Sequence, residues 1–131
     1  MNKLITIAAA LLLDAQGRTL LVRKRGTAFF MQPGGKIDAG EQPVQALIRE
    51  LREELGLQIA PEQAQYLGSR TAEAANEPGH EVHCALFRVT TTAQVQAAAE
   101  IEQALWVDNR TSAALQLAPL TRDWVLPAFF N

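Results

Sequence analysis

From Ile5 to Leu13 the chain is apolar almost without interruption, and after Asp14-Ala15-Gln16-Gly17 a second apolar run follows from Thr19 to Val22. Two apolar runs flanking a polar turn that ends in glycine predict a β-hairpin. Phe29, Phe30 and Met31 then lead into Pro33-Gly34-Gly35. Proline stops strand pairing and the glycines reach backbone conformations closed to other residues, so this stretch predicts a tight loop. From Pro43 to Leu55 the pattern changes: Val44, Leu47, Ile48, Leu51 and Leu55 recur at intervals of three and four. That is one apolar stripe of an amphipathic helix, and Gly56 is placed to end it.

Further strands are expected over Gln65–Ala72, Glu81–Thr90 and Leu105–Val107, with a turn at Asn76-Glu77-Pro78-Gly79 between the first two. Thr91–Ala99 is rich in Ala, Gln and Thr and fits either a short helix or a loop. Thr121–Phe130, carrying Trp124, Val125, Phe129 and Phe130, reads as a short helix capping the core. Strands outnumber helices and one helix lies between strands, so the expected class is mixed α and β, a sheet covered by helices.

Composition narrows the function more than the fold. With 131 residues, 48% of them hydrophobic, the chain suits a single domain over residues 1–131 with a closed core. Twelve Lys and Arg against fourteen Asp and Glu give no positive field to hold a long nucleic acid, although a small phosphorylated ligand can bind locally. Cys84 is the only cysteine, which excludes an internal disulfide and an all-cysteine metal cluster and points to a reducing compartment. The apolar run Leu4–Leu13 is too short to cross a membrane. A cytoplasmic protein without a membrane partner is expected.

The chemistry concentrates in the helix. Glu50, Glu53 and Glu54 stand at i, i+3 and i+4, so the helical period projects them from one side, away from Leu47, Leu51 and Leu55. Like charges so placed repel unless a cation or a basic partner neutralises them, and hard divalent ions prefer oxygen ligands. Judged alone, Arg49-Glu50-Leu51-Arg52-Glu53-Glu54 also fits a solvated face laced with ion pairs. The surroundings decide against that. Gly35-Lys36-Ile37-Asp38-Ala39-Gly40-Glu41, seven further residues, and then Arg49-Glu50-Leu51-Arg52-Glu53-Glu54-Leu55-Gly56-Leu57 follow a fixed pattern of glycine, acid, arginine and apolar positions. Such a pattern arises by chance about once in 10⁹ starting points.

Over this 23-residue stretch, Gly35–Leu57, the chain resembles the Nudix family at every position of its sequence box, and Pro33-Gly34 is the usual lead-in. The resemblance implies an α/β fold, an α/β/α sandwich around a mixed β-sheet. It also implies a Mg²⁺-dependent hydrolase, with Mn²⁺ as a substitute ion, in which water attacks phosphorus in a nucleoside diphosphate linked to another group. Glu50, Glu53 and Glu54 match the family's metal-binding glutamates. Glu50 matches a position that is the general base in some relatives and only a ligand in others. Arg49 matches the box arginine and is expected to pair with a carboxylate such as Glu41 or Glu50 and fix its orientation. Gly34 and Gly35 would keep side chains clear where backbone approaches metal or phosphate.

Glu100 lies six residues before Trp106, the spacing of an additional metal-binding glutamate in the family's antimutator branch, with Glu102 as the competing assignment. Arg23, Lys24 and Arg25 follow the second strand and suit the terminal phosphates of a ligand, or simply a soluble strand end. His80 and His83 are read as structural or exposed. Marks of the ADP-ribose and diadenosine polyphosphate hydrolases are missing at Glu73, Ala74 and Ala75.

A nucleoside triphosphate is therefore the expected substrate, cleaved to monophosphate and pyrophosphate. The region near Thr121 lacks the asparagine with which the antimutator enzyme reads oxidised guanine, which counts against that particular base. Hydrolysis of ADP-ribose or a nucleotide sugar remains an alternative, as does a non-catalytic Nudix-fold binding module. The expected partner is a small nucleotide, and the chain is read as a monomer or homodimer.

Overall fold

The computed structural model describes residues 3–130. Strands β1 (Lys3–Leu13), β2 (Thr19–Lys24) and β3 (Gly34–Lys36) precede helix α1 (Pro43–Leu55). A 3₁₀ turn at Pro61–Gln63 leads into β4 (Gln65–Glu73), β5 (His80–Thr90) and β6 (Ile101–Val107). The short helix α2 (Asn109–Ser112) follows, and a π-type turn over Thr121–Val125 runs directly into α3 (Leu126–Phe129).

The strands form one mixed sheet in the order β4-β5-β1-β2-β6, with β3 paired to β1. β1 is its central member. It runs parallel to β5 from Lys3 opposite His80 to Leu13 opposite Thr90, while β3 and β2 pair with it antiparallel. A strand covered on both faces reads as a continuous apolar run rather than an alternating one, which accounts for the uninterrupted Ile5–Leu13 sequence. The period of two then divides its side chains. Ala8, Ala10 and Leu12 face a core completed by Leu47, Leu51 and Leu55 of α1, whereas Ala9 and Leu11 face Cys84, Leu86, Trp124 and Val125 on the opposite side. Helix on one face and helix on the other make the α/β/α sandwich.

The expected hairpin forms, with Leu13 opposite Thr19 and the Asp14 carboxylate accepting from the Gln16 and Arg18 amides. α1 has the expected bounds. Pro43 occupies its first turn, the Gln45 side chain accepts from the Gln42 amide, and Gly56 ends it at φ 66° with its N–H returned to the Arg52 carbonyl.

Pro33-Gly34-Gly35 does not make a tight loop: Gly34 and Gly35 are extended and paired with Ala9 and Ala8 of β1. The reason is steric. Gly34 adopts φ 150°, and a Cβ there would collide with the Ala8 carbonyl oxygen and stand 2.6 Å from the Ala9 Cα, so only glycine lets two backbones approach this closely.

The ambiguous Thr91–Ala99 stretch is a loop rather than a helix. Its backbone caps α1: Gln96 and Ala98 donate to the Leu55 and Glu54 carbonyls at 3.1 and 2.8 Å, which satisfies acceptors that a helix end leaves open. The C-terminal segment is helical as expected. Its wide turn precedes Pro127, which has no N–H with which to continue a regular ladder. No helix among the described residues is long and apolar enough to cross a membrane.

Candidate active site

The site grows from the junction of α1 with β3. Arg49, at the middle of α1, donates from Nε and Nη2 to the two oxygens of Glu41 at 3.0 and 2.9 Å, from Nη1 to Glu50 Oε1 at 2.7 Å, and from Nη2 to the Lys36 carbonyl at 3.0 Å. One guanidinium thus ties the loop after β3 to the helix and fixes the rotamer of Glu50, as the planar fork of arginine allows and a lysine would not. Glu41 also accepts from the Asp38 amide. These donors, Arg49 first, hold the Glu41 carboxyl down at about 2.

Glu50 lies under β3. A Cβ on Gly35 would stand 2.6 Å from Glu50 Oε2, so the missing side chain at Gly35 is the space the carboxylate occupies. Burial pushes the Glu50 pKa up against the opposing pull of Arg49.

Glu54 departs from the expected geometry. It does not share an open face with Glu50 and Glu53 but is turned inward, only 2% exposed, where its Oε1 accepts from the Gly34 amide at 3.1 Å. Burial raises its pKa to about 8. The Gly34 N–H and Lys24 work against that rise, while the like charges of Glu50 and Glu100 add to it. Glu53, one turn position outward, has a side chain 52% exposed and 3.8 Å from Arg49. At 100° per residue the three glutamates therefore run from a buried edge to an open one.

Glu100 reaches this neighbourhood through the loop that caps α1. Ala99 takes φ 54°, the left-handed region unusual for a residue with a side chain, and the Glu100 carbonyl accepts from the Arg25 amide at 2.8 Å. The Glu100 carboxylate then pairs with Lys24 Nζ at 3.4 Å. Glu102, the competing position, pairs with Arg25 instead, 3.7 Å away and well exposed.

The basic triplet divides as well. Arg23 spends its donors on Gln103 Oε1 and the Thr27 carbonyl and lies over the Phe30 ring, and Arg25 faces Glu102. Of the three, only Lys24 lines the cleft beside Glu54. His80 and His83 stay outside that cleft, bonded to the Pro78 carbonyl and the Thr71 hydroxyl. Cys84 is buried, and burial pushes its thiol up to about 12, which disfavours the thiolate.

The cleft encloses about 140 Å³ and runs from Gly34, Gly35 and Glu54 to the start of the C-terminal helix at Leu120 and Thr121. Along it the sequence reading reached the region of Thr121 but not its partner: Gln32 and Thr121 are buried side chains joined by a 2.8 Å hydrogen bond. The signal for Gln32 in the sequence is that it is a polar residue closing the apolar Phe29-Phe30-Met31 run.

The residues fit a divalent cation. A buried carboxyl whose proton is held by low polarity and by neighbouring negative charge is relieved by an ion that supplies positive charge. Among the described residues no group of three His, Cys, Asp or Glu stands ready as a complete cage. A Mg²⁺ ion that keeps several waters and takes phosphate oxygens needs only one or two carboxylates.

The NUDIX domain model matches residues 3–126, which include every part of this site. The chain belongs to the Nudix family. Among curated Nudix relatives, the 8-oxo-dGTP diphosphatase of Haemophilus influenzae is 44% identical over 60 residues, 43% of this chain and 44% of that one. The CTP pyrophosphohydrolase of Escherichia coli is 28% identical over 121 residues, 89% of this chain and 85% of that one. For the first curated relatives the matched stretch spans less than half of their own length. The crystal structure of a MutT protein from Methanosarcina mazei superposes with a TM-score of 0.74 at 21% identity, over 90% of this chain and 86% of that one, a likeness of fold.

Proposed function

We propose that this Nudix protein is a Mg²⁺-dependent pyrophosphohydrolase that converts a nucleoside triphosphate to its monophosphate and pyrophosphate. The observation that carries the reading is Glu54: a carboxyl buried in the cleft wall and bonded to the Gly34 amide, where burial and the like charges of Glu50 and Glu100 raise its pKa to about 8. Glu50, Glu53 and Glu54 would hold the ion, Mn²⁺ serving in place of Mg²⁺, with Glu100 as a further ligand and Gly34 keeping the approach free of side chain. When bound, the metal polarises phosphate oxygens and acidifies a coordinated water.

The chain's own residues supply the rest. Arg49 positions Glu50 rather than touching substrate. Lys24, the one cation of the triplet on the cleft, neutralises phosphate charge, and Glu50 or a neighbouring carboxylate accepts the proton of the attacking water. The cleft volume of about 140 Å³ lies below the range typical of pockets that enclose larger ligands, which suits one nucleobase with phosphates reaching outward. Two relatives named for nucleoside triphosphate chemistry support the same substrate class.

The test measures pyrophosphate release from a panel of nucleoside triphosphates with excess Mg²⁺ at pH 8, beside hydrolysis of ADP-ribose. At least one triphosphate is expected to exceed ADP-ribose tenfold in kcat/KM. A preference for ADP-ribose, yielding AMP and ribose phosphate, overturns the triphosphate assignment, and turnover of neither would make the chain a binding module.

A further inference from the structure

Gln32 is 8% exposed and lines the cleft beside Thr121. Its two amide ends are treated differently by the fold. Oε1 accepts the Thr121 hydroxyl at 2.8 Å, whereas Nε2 is buried without a hydrogen-bond partner. An unpaired buried donor carries an uncompensated desolvation penalty, and such groups are rare in folded proteins unless something outside the chain satisfies them. In this arrangement Thr121 occupies one lone pair of Oε1, and the unpartnered group of the amide is its donor end. The lining joins apolar Ile7, Ala9, Val82 and Val125 to charged Lys24 and Glu54, and among the described lining residues Gln32 is the one whose buried side-chain donor has no partner.

We propose that Gln32, held by Thr121, is the residue that selects the nucleobase, and that it selects for a ring keto oxygen over a ring amino group. This rests on the cleft being the nucleotide site described above. A carbonyl oxygen accepts from Nε2 and removes the penalty of the orphaned donor. An amino group at the same place sets N–H against N–H and leaves both unpaired, and a site built around one hydrogen bond rejects the analogue that cannot make it.

Inosine and adenosine monophosphates provide the comparison, because they exchange keto for amino on the same purine. Titration calorimetry with Mg²⁺ is expected to give at least tenfold tighter binding of the inosine nucleotide to wild type. Gln32→Leu should bring that nucleotide down to the affinity of the adenosine one. Thr121→Val frees the amide to reverse and should cut the preference to within threefold by improving adenosine binding. The double variant Gln32→Leu/Thr121→Val removes both buried polar partners together, so its melting temperature should stay near wild type while the preference disappears, which separates recognition from folding.

Equal binding of the two nucleotides by wild type, or an undiminished preference in the folded double variant, overturns the assignment. If wild type hydrolyses triphosphates but shows no keto preference, only the role of Gln32 fails. If it neither binds a monophosphate nor cleaves any triphosphate, the nucleotide reading of the cleft fails, and the role of Gln32 with it.

Discussion

The Gly34 amide donates to the buried Oε1 of Glu54, joining the strand on which the family box begins to the last turn of its helix. The bond places a carboxyl where water is scarce, and it only partly compensates the burial that holds the pKa at about 8. Glu54→Gln keeps an acceptor for Gly34 and removes the charge. On the proposed metal role the variant should lose at least a hundredfold in kcat while its metal-free melting temperature at pH 8 equals or exceeds that of wild type. Turnover within threefold of wild type would remove Glu54 from the metal site.

The same carboxyl sets a pH dependence whose sign can be worked out. Its pKa rises from 4.5 to about 8 on folding, so the folded state favours the protonated form. Its contribution is complete below about pH 4.5 and is lost progressively as the pH climbs through 8. Glu41 works in the opposite sense: held at about 2, it stabilises above pH 4.5, and that contribution is lost as the pH falls toward 2. Metal-free protein in chelator should therefore melt highest near pH 5 and lower at pH 8, with the alkaline fall flattened in Glu54→Gln. Millimolar Mg²⁺ at pH 8 should raise the melting temperature of wild type more than that of a Glu50→Gln/Glu54→Gln variant. Equal shifts would locate the ion elsewhere.

Adjacent glycines should respond differently to the same substitution. A methyl group on Gly34 meets backbone atoms of Ala8 and Ala9 at a φ of 150°. Gly34→Ala should cost at least about 2 kcal/mol of stability, measurable by urea unfolding. On Gly35 the methyl meets only the end of the Glu50 side chain, which can swing aside. Gly35→Ala should unfold within about 1 kcal/mol of wild type yet lose at least tenfold in kcat through the displaced carboxylate. Similar losses of stability in both would contradict the assigned packing.

These contrasts mark where the sequence was readable. The bounds of α1 and its glycine stop follow from a local period and a local cap, and the single-face core of Leu47, Leu51 and Leu55 followed with them. Local spacing placed Glu50, Glu53 and Glu54 on the same side, but it is blind to what lies across from each one. Glu54 is buried because β3 closes over it, and β3 itself was hidden because paired glycines resemble a turn until the neighbouring backbone of β1 is known. The separation of Lys24 from Arg23 and Arg25, and the bond between Gln32 and Thr121, depend on contacts between segments distant in the chain. No periodicity records such contacts.

Arg49 supplies the sharpest test of positioning without substrate contact. Its guanidinium makes four hydrogen bonds at once, two to Glu41, one to Glu50 and one to the Lys36 carbonyl. Lysine keeps the charge but offers a single ammonium that cannot meet all of these groups. Arg49→Lys should therefore reduce kcat at least tenfold with little change in KM, because Glu50 loses its fixed rotamer while the nucleotide cleft is untouched. The pKa of Glu41 should return toward its ordinary value, so the acid limb of the stability curve should move to higher pH, a shift that a purely catalytic role for Arg49 would not produce. Removing the partner adds a second check. If Arg49 acts through Glu41 and Glu50 as one unit, Arg49→Lys/Glu41→Gln should be destabilised by clearly less than the sum of the two single variants. Strict additivity in urea unfolding, or a variant whose loss appears wholly in KM, would show that the clamp does not position the site.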